Sequence, residues 1–371
     1  MKRVAILTNI VPPYRFPLFN GISEKVCLDV LVCTDNEKNR KWRTNTKQRF
    51  RVKKLHGVSL TLRNSMNDYR FIYLKFSILI YLLFNRPDKV VIGDASLTSY
   101  LAAFFCKVLG IKYIWWNEVL PFTPISHGLL GKLRSHSIRN ASHHFVSGTL
   151  AKEFIQKYGI NQESITIIPD AVDNDRYFEL HKKLAPSSQE IRGKYLIKPD
   201  DFVMLYVGQF IERKNIQLML DAYKKLHEQD ERNKFILVGG GELKDKILQF
   251  KEKHMLEGLI VLDFMETEKL AELYTISDVL ILISKSEPWG MVVNEAMCFG
   301  VPVVASKYVG AGADLITEDS GIVIEGTENT IELETALKFL NQNTLNKDLI
   351  KGKVNLWNNN NAIKGVLDHV L

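Results

Sequence analysis

Glu287 and Glu295 bracket the stretch Glu287-Pro-Trp-Gly-Met-Val-Val-Asn-Glu295. A carboxylate accepts hydrogen bonds from sugar and ribose hydroxyls, so two at this spacing suit two rings of one ligand. Gly290, between them, lets backbone approach a ligand closely. The amides of Gly290 and Met291 open a helix, and a helix N-terminus carries roughly half a positive charge, which suits a phosphate. Upstream, Arg213 and Lys214 stand side by side before another amphipathic stretch. Cations there clamp a diphosphate and offset charge on a leaving group. Taken alone, each feature also fits a solvated surface: two exposed glutamates, or an exposed Arg-Lys pair.

The elements that must position these residues alternate along the chain. An apolar strand at 279–283 ends in the polar turn Ser284–Glu287; a helix at 292–299, Gly300 and a further strand at 302–305 follow. That is the layout of a ligand site at the carboxyl end of a parallel strand. Strands are predicted in the first half at 3–8, 26–33, 89–93, 112–116, 143–147 and 164–168, with helices at 71–84, 96–109, 127–140 and 149–158. In the second half strands are predicted at 202–207, 235–239, 259–263, 279–283, 302–305 and 321–324, with helices at 215–228, 242–253, 267–276, 292–299 and 330–340. Such βα alternation predicts an α/β chain with parallel sheets covered on both faces. The polar stretch 170–199 reads as the linker, giving domains at 1–185 and 186–355 and a closing helix at 356–371.

Bulk composition is that of a globular protein: 371 residues, 46% hydrophobic and 25% charged, with a net charge of +7. The basic balance favours anionic partners without choosing among them. Cys27, Cys33, Cys106 and Cys298 form no C-x-x-C pair and no zinc spacing, so they read as scattered buried thiols in a reducing compartment. His127, His136, His143 and His144 lack metal spacing too, and no metal site is expected. Met1-Lys-Arg is followed by too short an apolar run for a signal peptide. The most apolar window, Phe71 to Phe84, is too short for a bilayer span and contains Lys75; it reads as a buried helix, or else a membrane-surface helix. Between Lys38 and Lys54, Lys38, Arg40, Lys41, Arg43, Lys47, Arg49, Arg51, Lys53 and Lys54 are interleaved with Trp42 and Phe50. This basic run is a candidate contact with an anionic membrane, or a solvated loop. Nucleic acid is not expected, since no recognised module surrounds it.

The segment from Ser284 to Ala305 resembles the Glu-x7-Glu signature of glycosyltransferase family 4. Ser284, Glu287, Gly290, Glu295, Ala296, Met297, Gly300, Pro302, Val303, Val304 and Ala305 match it; Trp289 stands for the common Phe, and Cys298 and Phe299 for the usual small pair. Leu205-Tyr-Val-Gly208, followed by Lys214, resembles the family's Val-Gly-Arg stretch and its lysine, with Gln209 where Arg is common. Phe235 to Leu243, with Gly239-Gly240-Gly241, resembles a strand ending in Gly-x-Gly-Pro-Leu, Glu242 replacing the proline. Val261 to Met265 resembles a strand ending in Phe-x-Gly. Tyr308 to Ile316 resembles a Gly-Gly-x-x-Glu-Leu-Ile loop, with Asp314 at the Glu position. Ile168 to Phe178 resembles the family's interdomain stretch, so Asp173-Asn-Asp175 is not read as a metal motif.

The resemblance implies a GT-B fold, two Rossmann-like domains facing each other across a cleft, with the closing helix crossing back to the first. It implies a retaining hexosyltransferase that uses a nucleotide diphosphate sugar (UDP- or GDP-) and no other cofactor. Glu287, Lys214, Arg213 and Glu118 are the expected catalytic residues. Gly208, Gly240, Phe264, Met265, Trp289, Gly290, Met291, Val292 and Glu295 are the expected donor contacts. In the first domain, Asn9 to Pro17 resembles the Pro-Pro-Tyr-Arg variant of the family's first loop. Tyr14, Arg15 and Asn117 are therefore expected on the acceptor side, although Arg15 and its loop also fit a purely structural role. The implied acceptor is a glycan or lipid-linked sugar of surface polysaccharide or lipopolysaccharide assembly, and the implied location cytoplasmic, peripheral on the inner face of the membrane. A GT-B-fold sugar-nucleotide epimerase and a non-catalytic nucleotide-sugar-binding subunit are the rival readings.

Overall fold

The computed structural model describes residues 1–35, 47–63, 69–125 and 127–371. They divide into two compact units, Met1–Ala171 with Asn358–Leu371, and Val172–Trp357.

In the first unit, β1 (Arg3–Thr8), β2 (Cys27–Val32) and β3 (Arg51–Lys54) lead through a hairpin of β4 (Val58–Arg63) and β5 (Tyr69–Leu74) to β6 (Lys89–Ile92), β7 (Lys112–Asn117), β8 (His143–Val146) and β9 (Ile165–Ile167). Apart from the hairpin they form one parallel sheet in the order β3-β2-β1-β6-β7-β8-β9. The helices are α1 (Phe16–Ser23), α2 (Ser77–Asn85), α3 (Leu97–Val108), α4 (Gly128–Arg139) and α5 (Thr149–Gln156). Successive side chains of a strand point to opposite faces, and β1 shows the result. Ala5 and Leu7 pack with the buried sides of α2 to α5, while Val4 and Ile6 pack with α1. Both faces are covered, which is why Val4 to Leu7 of β1 are all apolar instead of alternating.

The helix predicted at 71–84 is corrected. Its first part is β5, paired antiparallel with β4 so that Phe71 faces Thr61 and Tyr73 faces Ser59. Aromatic and β-branched residues favour such a strand over a helix. The Thr98 hydroxyl donates to the Tyr73 carbonyl at 2.9 Å and accepts from the Lys75 amide at 3.1 Å, ending the strand; α2 starts two residues later.

In the second unit, α6 (Asn174–Leu184) and α7 (Ser188–Lys194) precede β10 (Phe202–Gln209), α8 (Ile216–Gln229), β11 (Asn233–Gly240), α9 (Lys244–Lys253), β12 (Leu259–Leu262) and α10 (Thr267–Ile276). Then come β13 (Val279–Leu282), α11 (Met291–Cys298), β14 (Val303–Ser306), α12 (Gly312–Leu315), β15 (Gly321–Ile324), α13 (Ile331–Gln342) and α14 (Lys347–Asn355). This sheet is also parallel, in the order β12-β11-β10-β13-β14-β15. The chain steps outward from β10 on one side to β11 and β12, then returns to place β13 on the other. The strand order therefore reverses between β10 and β13, the place where open α/β sheets bind ligands.

The stretch read as a linker is helical. The Asp173 carboxylate caps α6 by accepting from the Arg176 amide, and the Asn174 amide donates to the carbonyls of Val354 and Trp357. Tyr177 is buried edge-on against Phe299. These contacts attach α6 to the second unit, so the units divide after Ala171 rather than after residue 185. The C-terminal helix α15 (Asn359–Val370) belongs to the first unit, burying Ala362, Val366 and Val370 beside α1. Its approach requires Gly21, where a Cβ would lie 2.2 Å from Ile363. The His369 ring stacks on His143 at 3.8 Å.

Candidate functional site

The residues at the reversal of the second sheet come from three loops. After β10, the short turn Glu212–Lys214 ends at Asn215, in left-handed conformation, and leads into α8. After β13, Ser284 to Gly290 leads into α11. After β14 comes Lys307 to Ala311, where the Glu287 amide donates to the Tyr308 carbonyl and the Gly310 amide donates to the Glu287 carbonyl, each at 3.0 Å. A short bridge between Glu287 and Val309 fixes the Glu287 backbone.

Three predicted site residues meet here. The Lys214 ammonium is ion-paired with Glu287, both side chains largely buried, and the Arg213 guanidinium lies 3.6 Å from the same carboxylate. Arg213 also donates to the Ser286 carbonyl, and its own carbonyl accepts from the Lys285 amide at 2.9 Å. Two cations thus face one carboxylate, leaving a positive surplus at the strand ends.

Gly290 is the N-cap of α11, with φ +98° and ψ +67°. A Cβ there would lie 2.7 Å from Leu282 Cδ2, so the position excludes side chains both conformationally and sterically. Met291 and Val292, the first residues of α11, are partly buried, and their amides belong to the free N-terminal turn. Trp289 turns inward: its indole donates to Asn294 Oδ1 at 2.8 Å and its ring stacks on Trp357 at 5.5 Å. The side chain packs the loop, and only its backbone is left for ligand contact.

Glu295 lies one turn into α11. It accepts from the Tyr274 hydroxyl at 2.7 Å and from Tyr177, and burial raises its pKa above the usual carboxylate range while these bonds oppose the rise. Neither tyrosine was singled out in the sequence. Tyr274 comes from α10 and Tyr177 from α6, and neither carries a motif of its own.

In the triple glycine, Gly240 is exposed with no atom within 4 Å of an added Cβ. The positions that require glycine are its neighbours: a Cβ at Gly239 would fall 1.9 Å from the Gly208 carbonyl oxygen, and one at Gly241 2.4 Å from that of Phe210. Gly208 lies at the end of β10 directly beside Gly239. Phe264, just beyond β12, is exposed, whereas Met265 is half-buried against the core.

The first unit holds a separate cluster at the carboxyl ends of β1, β6 and β7. A cavity of about 180 Å³ is lined by Thr8, Asn9, Tyr14, Arg15, Asp94, Trp116 and Glu118, among others. The Arg15 guanidinium is buried, 2.6 Å from Asp170 and 2.5 Å from Glu118, and stacks over Trp116 at 4.5 Å. Burial pushes the Asp170 carboxyl up to about 7 against the pull of Arg15. Glu118 keeps 37% of its side chain exposed. Asn117 does not line the cavity; its amide donates to the carbonyls of Val119 at 2.9 Å and Ala151 at 3.4 Å and shapes the loop. Asp94 was missed in the sequence. It accepts from Ser96 and Ser99, burial raises its pKa, and its Oδ2, like Asn9 Oδ1 and Trp116 Nε1, has no hydrogen-bond partner among the described residues.

The basic run fares differently. Lys38, Arg40, Lys41, Trp42 and Arg43 lie outside the described residues. Of the rest, Arg49 pairs with Glu24, Arg51 and Lys53 with Asp29, and Lys54 with Asp35. Phe50 is buried against Phe16 and Phe19 and offers no lipid contact.

Residues 187–354 match the family model described as glycosyl transferases group 1. The match lies within the second unit and covers most of it. Over 216 residues the chain is 24% identical to an N-acetyl-alpha-D-glucosaminyl L-malate synthase of Bacillus anthracis, covering 58% of this chain and 51% of that protein. Over 190 residues it is 30% identical to an uncharacterised glycosyltransferase of Methanocaldococcus jannaschii, covering 51% of this chain and 53% of that one. The chain thus spans about half the length of these relatives. The crystal structure of Anabaena HepE in complex with UDP superposes with a TM-score of 0.75 at 15% identity, covering 99% of both chains. That likeness gives the fold: α/β, GT-B, built from two Rossmann-like domains. The matched segment contains every predicted donor contact, together with Lys214, Arg213 and Glu287.

Proposed function

We propose that the chain is a retaining glycosyltransferase that moves a hexose from a nucleotide diphosphate sugar to a hydroxyl of a glycan or lipid-linked acceptor, on the cytoplasmic side of a membrane where surface polysaccharide or lipopolysaccharide is assembled. The observation that carries the reading is the meeting of Lys214, Arg213 and Glu287 at the strand reversal of a group 1 domain. The HepE complex with UDP agrees with a nucleotide ligand for this fold.

In this reading the diphosphate lies at the N-terminus of α11, where Lys214, Arg213 and the amides near Gly290 stabilise the charge that grows as the donor bond breaks. The bond from the anomeric carbon to the phosphate oxygen breaks. The bond to the acceptor oxygen forms on the same face, and the acceptor proton passes to the departing phosphate. Lys214 then exchanges part of its pairing with Glu287 for the phosphate, which frees Glu287 to orient the hexose. Glu295, held by Tyr274 and Tyr177, reads the ribose, while Gly208, Gly240, Phe264 and Met265 border the nucleoside. The proposal includes no metal, because the fixed cations supply the positive charge. The first-unit cavity, with Arg15, Tyr14, Glu118 and Asp94, takes the acceptor.

A panel of UDP-, GDP- and ADP-sugars tests the reading by thermal shift and by mass spectrometry of products with glycan acceptors. One donor should raise the melting temperature and yield a glycosylated product. An epimerised sugar without transfer would favour the epimerase, and binding without any turnover a non-catalytic subunit; a panel with no shift at all removes the reading.

A further inference from the structure

The helices α2, α3 and α4 of the first unit carry an unusual surface. α2 reads Ser-Ile-Leu-Ile-Tyr-Leu-Leu-Phe-Asn, with no charged residue. Ile78, Tyr81 and Leu82 point into the core, yet Phe76, Ile80 and Phe84 point out, the last 83% exposed. A helix apolar on all sides is normally buried on all sides. The neighbouring helices extend the surface: α2 packs on α3 and α3 on α4. α3 exposes Phe104 and Val108, and α4 exposes Leu129, 73% accessible. Singly exposed apolar residues are ordinary, but a run across three adjacent helices marks an interaction surface.

Charge selects the occupant. α2, α3 and α4 contain no Asp or Glu. The second unit's helices differ: α8 holds Asp221 and Glu228, α10 holds Glu268 and Glu272, and α13 holds Glu332 and Glu334. The charges on α3 and α4 and at the end of α2 are cationic: Arg86, Lys107, Lys132 and Arg139 are all exposed, and the nearby exposed Asp88 accepts from the Arg3 amide. None of the four is ion-paired with a carboxylate among the described residues; Lys107 donates to Asn140 and Arg139 to the Tyr158 carbonyl. Apolar residues on helices without a carboxylate, fringed by cations with no ion pair among the described residues, match a bilayer bearing anionic headgroups. The helices are 9, 12 and 12 residues long, too short to cross one.

We propose that α2, α3 and α4 form a membrane-docking face that lies on the surface of an anionic bilayer, burying Phe76, Ile80, Phe84, Phe104, Val108 and Leu129 at the headgroup boundary. This relocates the contact expected of the basic run 38–54, where Arg49, Arg51, Lys53 and Lys54 are already paired with carboxylates. It does not depend on the donor chemistry, since binding is read without a nucleotide sugar.

Flotation of the full chain with vesicles tests it. Vesicles of equal parts phosphatidylcholine and phosphatidylglycerol should carry the protein up, and pure phosphatidylcholine should carry at least about tenfold less. Replacing Ile80, Phe84, Phe104 and Val108 together by Ser should abolish flotation. Lys107→Glu with Lys132→Glu and Arg139→Glu should reduce it at least about tenfold, with melting temperature unchanged in both variants. Failure to float with anionic vesicles, or flotation that survives both variants, overturns the proposal. A concentration-dependent dimer in sedimentation velocity that the apolar variant dissociates, without vesicle binding, would overturn it in favour of a second copy.

Discussion

Replacing Gly290 by Ala concentrates two costs on one atom. The backbone at φ +98° is one that an L-residue reaches at roughly 1–2 kcal/mol. The added Cβ lies 2.7 Å from Leu282 Cδ2 and 3.2 Å from Val309 Cγ1. Leu282 and Val309 are fully buried, so neither moves freely, and overpacking of this kind costs about 1–3 kcal/mol. The sum is about 3 kcal/mol. For a unit of 150–250 residues each kcal/mol lowers the melting temperature by roughly 2–4 °C, so the transition of the second unit should fall by about 6–12 °C. Gly240→Ala is the internal control: its Cβ meets nothing within 4 Å, and the change should stay within about 0.5 kcal/mol. Calorimetry of both variants resolves this difference. A second readout is the shift caused by the donor found in the panel, which Gly290→Ala should weaken because the amides opening α11 move with the loop. If Gly290→Ala and Gly240→Ala melt within about 2 °C of each other, the conformational argument for the α11 cap is wrong.

Lys214→Ala should lower turnover by about 10²–10³-fold, the loss expected on removing one charge-stabilising group, while Arg213, 3.6 Å from Glu287, limits the structural damage. A rate within about threefold of the wild type would remove Lys214 from the chemistry. Arg15→Met should destabilise the first unit by about 3–5 kcal/mol, since Arg15 and Asp170 have only 8% and 5% of their side chains exposed. Beside Arg15 the Asp170 carboxyl sits at about 7; without the guanidinium it is pushed higher, so the folded variant holds its proton above that pH and the loss should grow as pH rises beyond about 7, which melting at about pH 5 and about pH 9 checks. Burial and the stacked His369 hold His143 down to about 4 from its ordinary 6.5. The unfolded chain therefore binds more protons between these values, and stability should drop as pH falls from 6.5 towards 4. His143→Gln should flatten that slope in a series of melts.

The sequence made the second unit almost fully legible. Its strands are short apolar runs between polar helices, each covered on both faces, so pattern and structure coincide at β10, β11, β13 and β14. The first unit was harder to read where local preference yields to a neighbour. β5 was hidden because Phe71 to Phe84 is one apolar run, and only Thr98, from α3, marks where strand ends and helix begins. β3 was hidden because its exposed cations resemble a loop; what makes it a strand is Asp29 on β2, which gathers Arg51 and Lys53. The domain boundary was displaced for a similar reason. Polar composition suggested a linker, whereas the Asn174 amide ties α6 to carbonyls at the far end of the second unit.

The same distinction explains which site residues could be read. Lys214 with Arg213, and Glu287 with Gly290, sit in two loops that each carry a local motif, so they could be singled out, although only the fold pairs the cations of one loop with the carboxylate of the other. Tyr274, Tyr177 and Asp170 act through partners that only the fold brings near. Glu295 shows the consequence. Spacing alone makes it a free carboxylate on a helix, but two tyrosine hydroxyls already bind it and burial raises its pKa. A half-buried carboxylate held in this way is oriented before any ligand arrives, and the ordering cost of binding is correspondingly lower. Tyr274→Phe, which keeps the ring and removes the donor, separates this orienting role from packing. It should weaken donor binding with little change in melting temperature, and unchanged donor affinity would show that Tyr274 only fills the core.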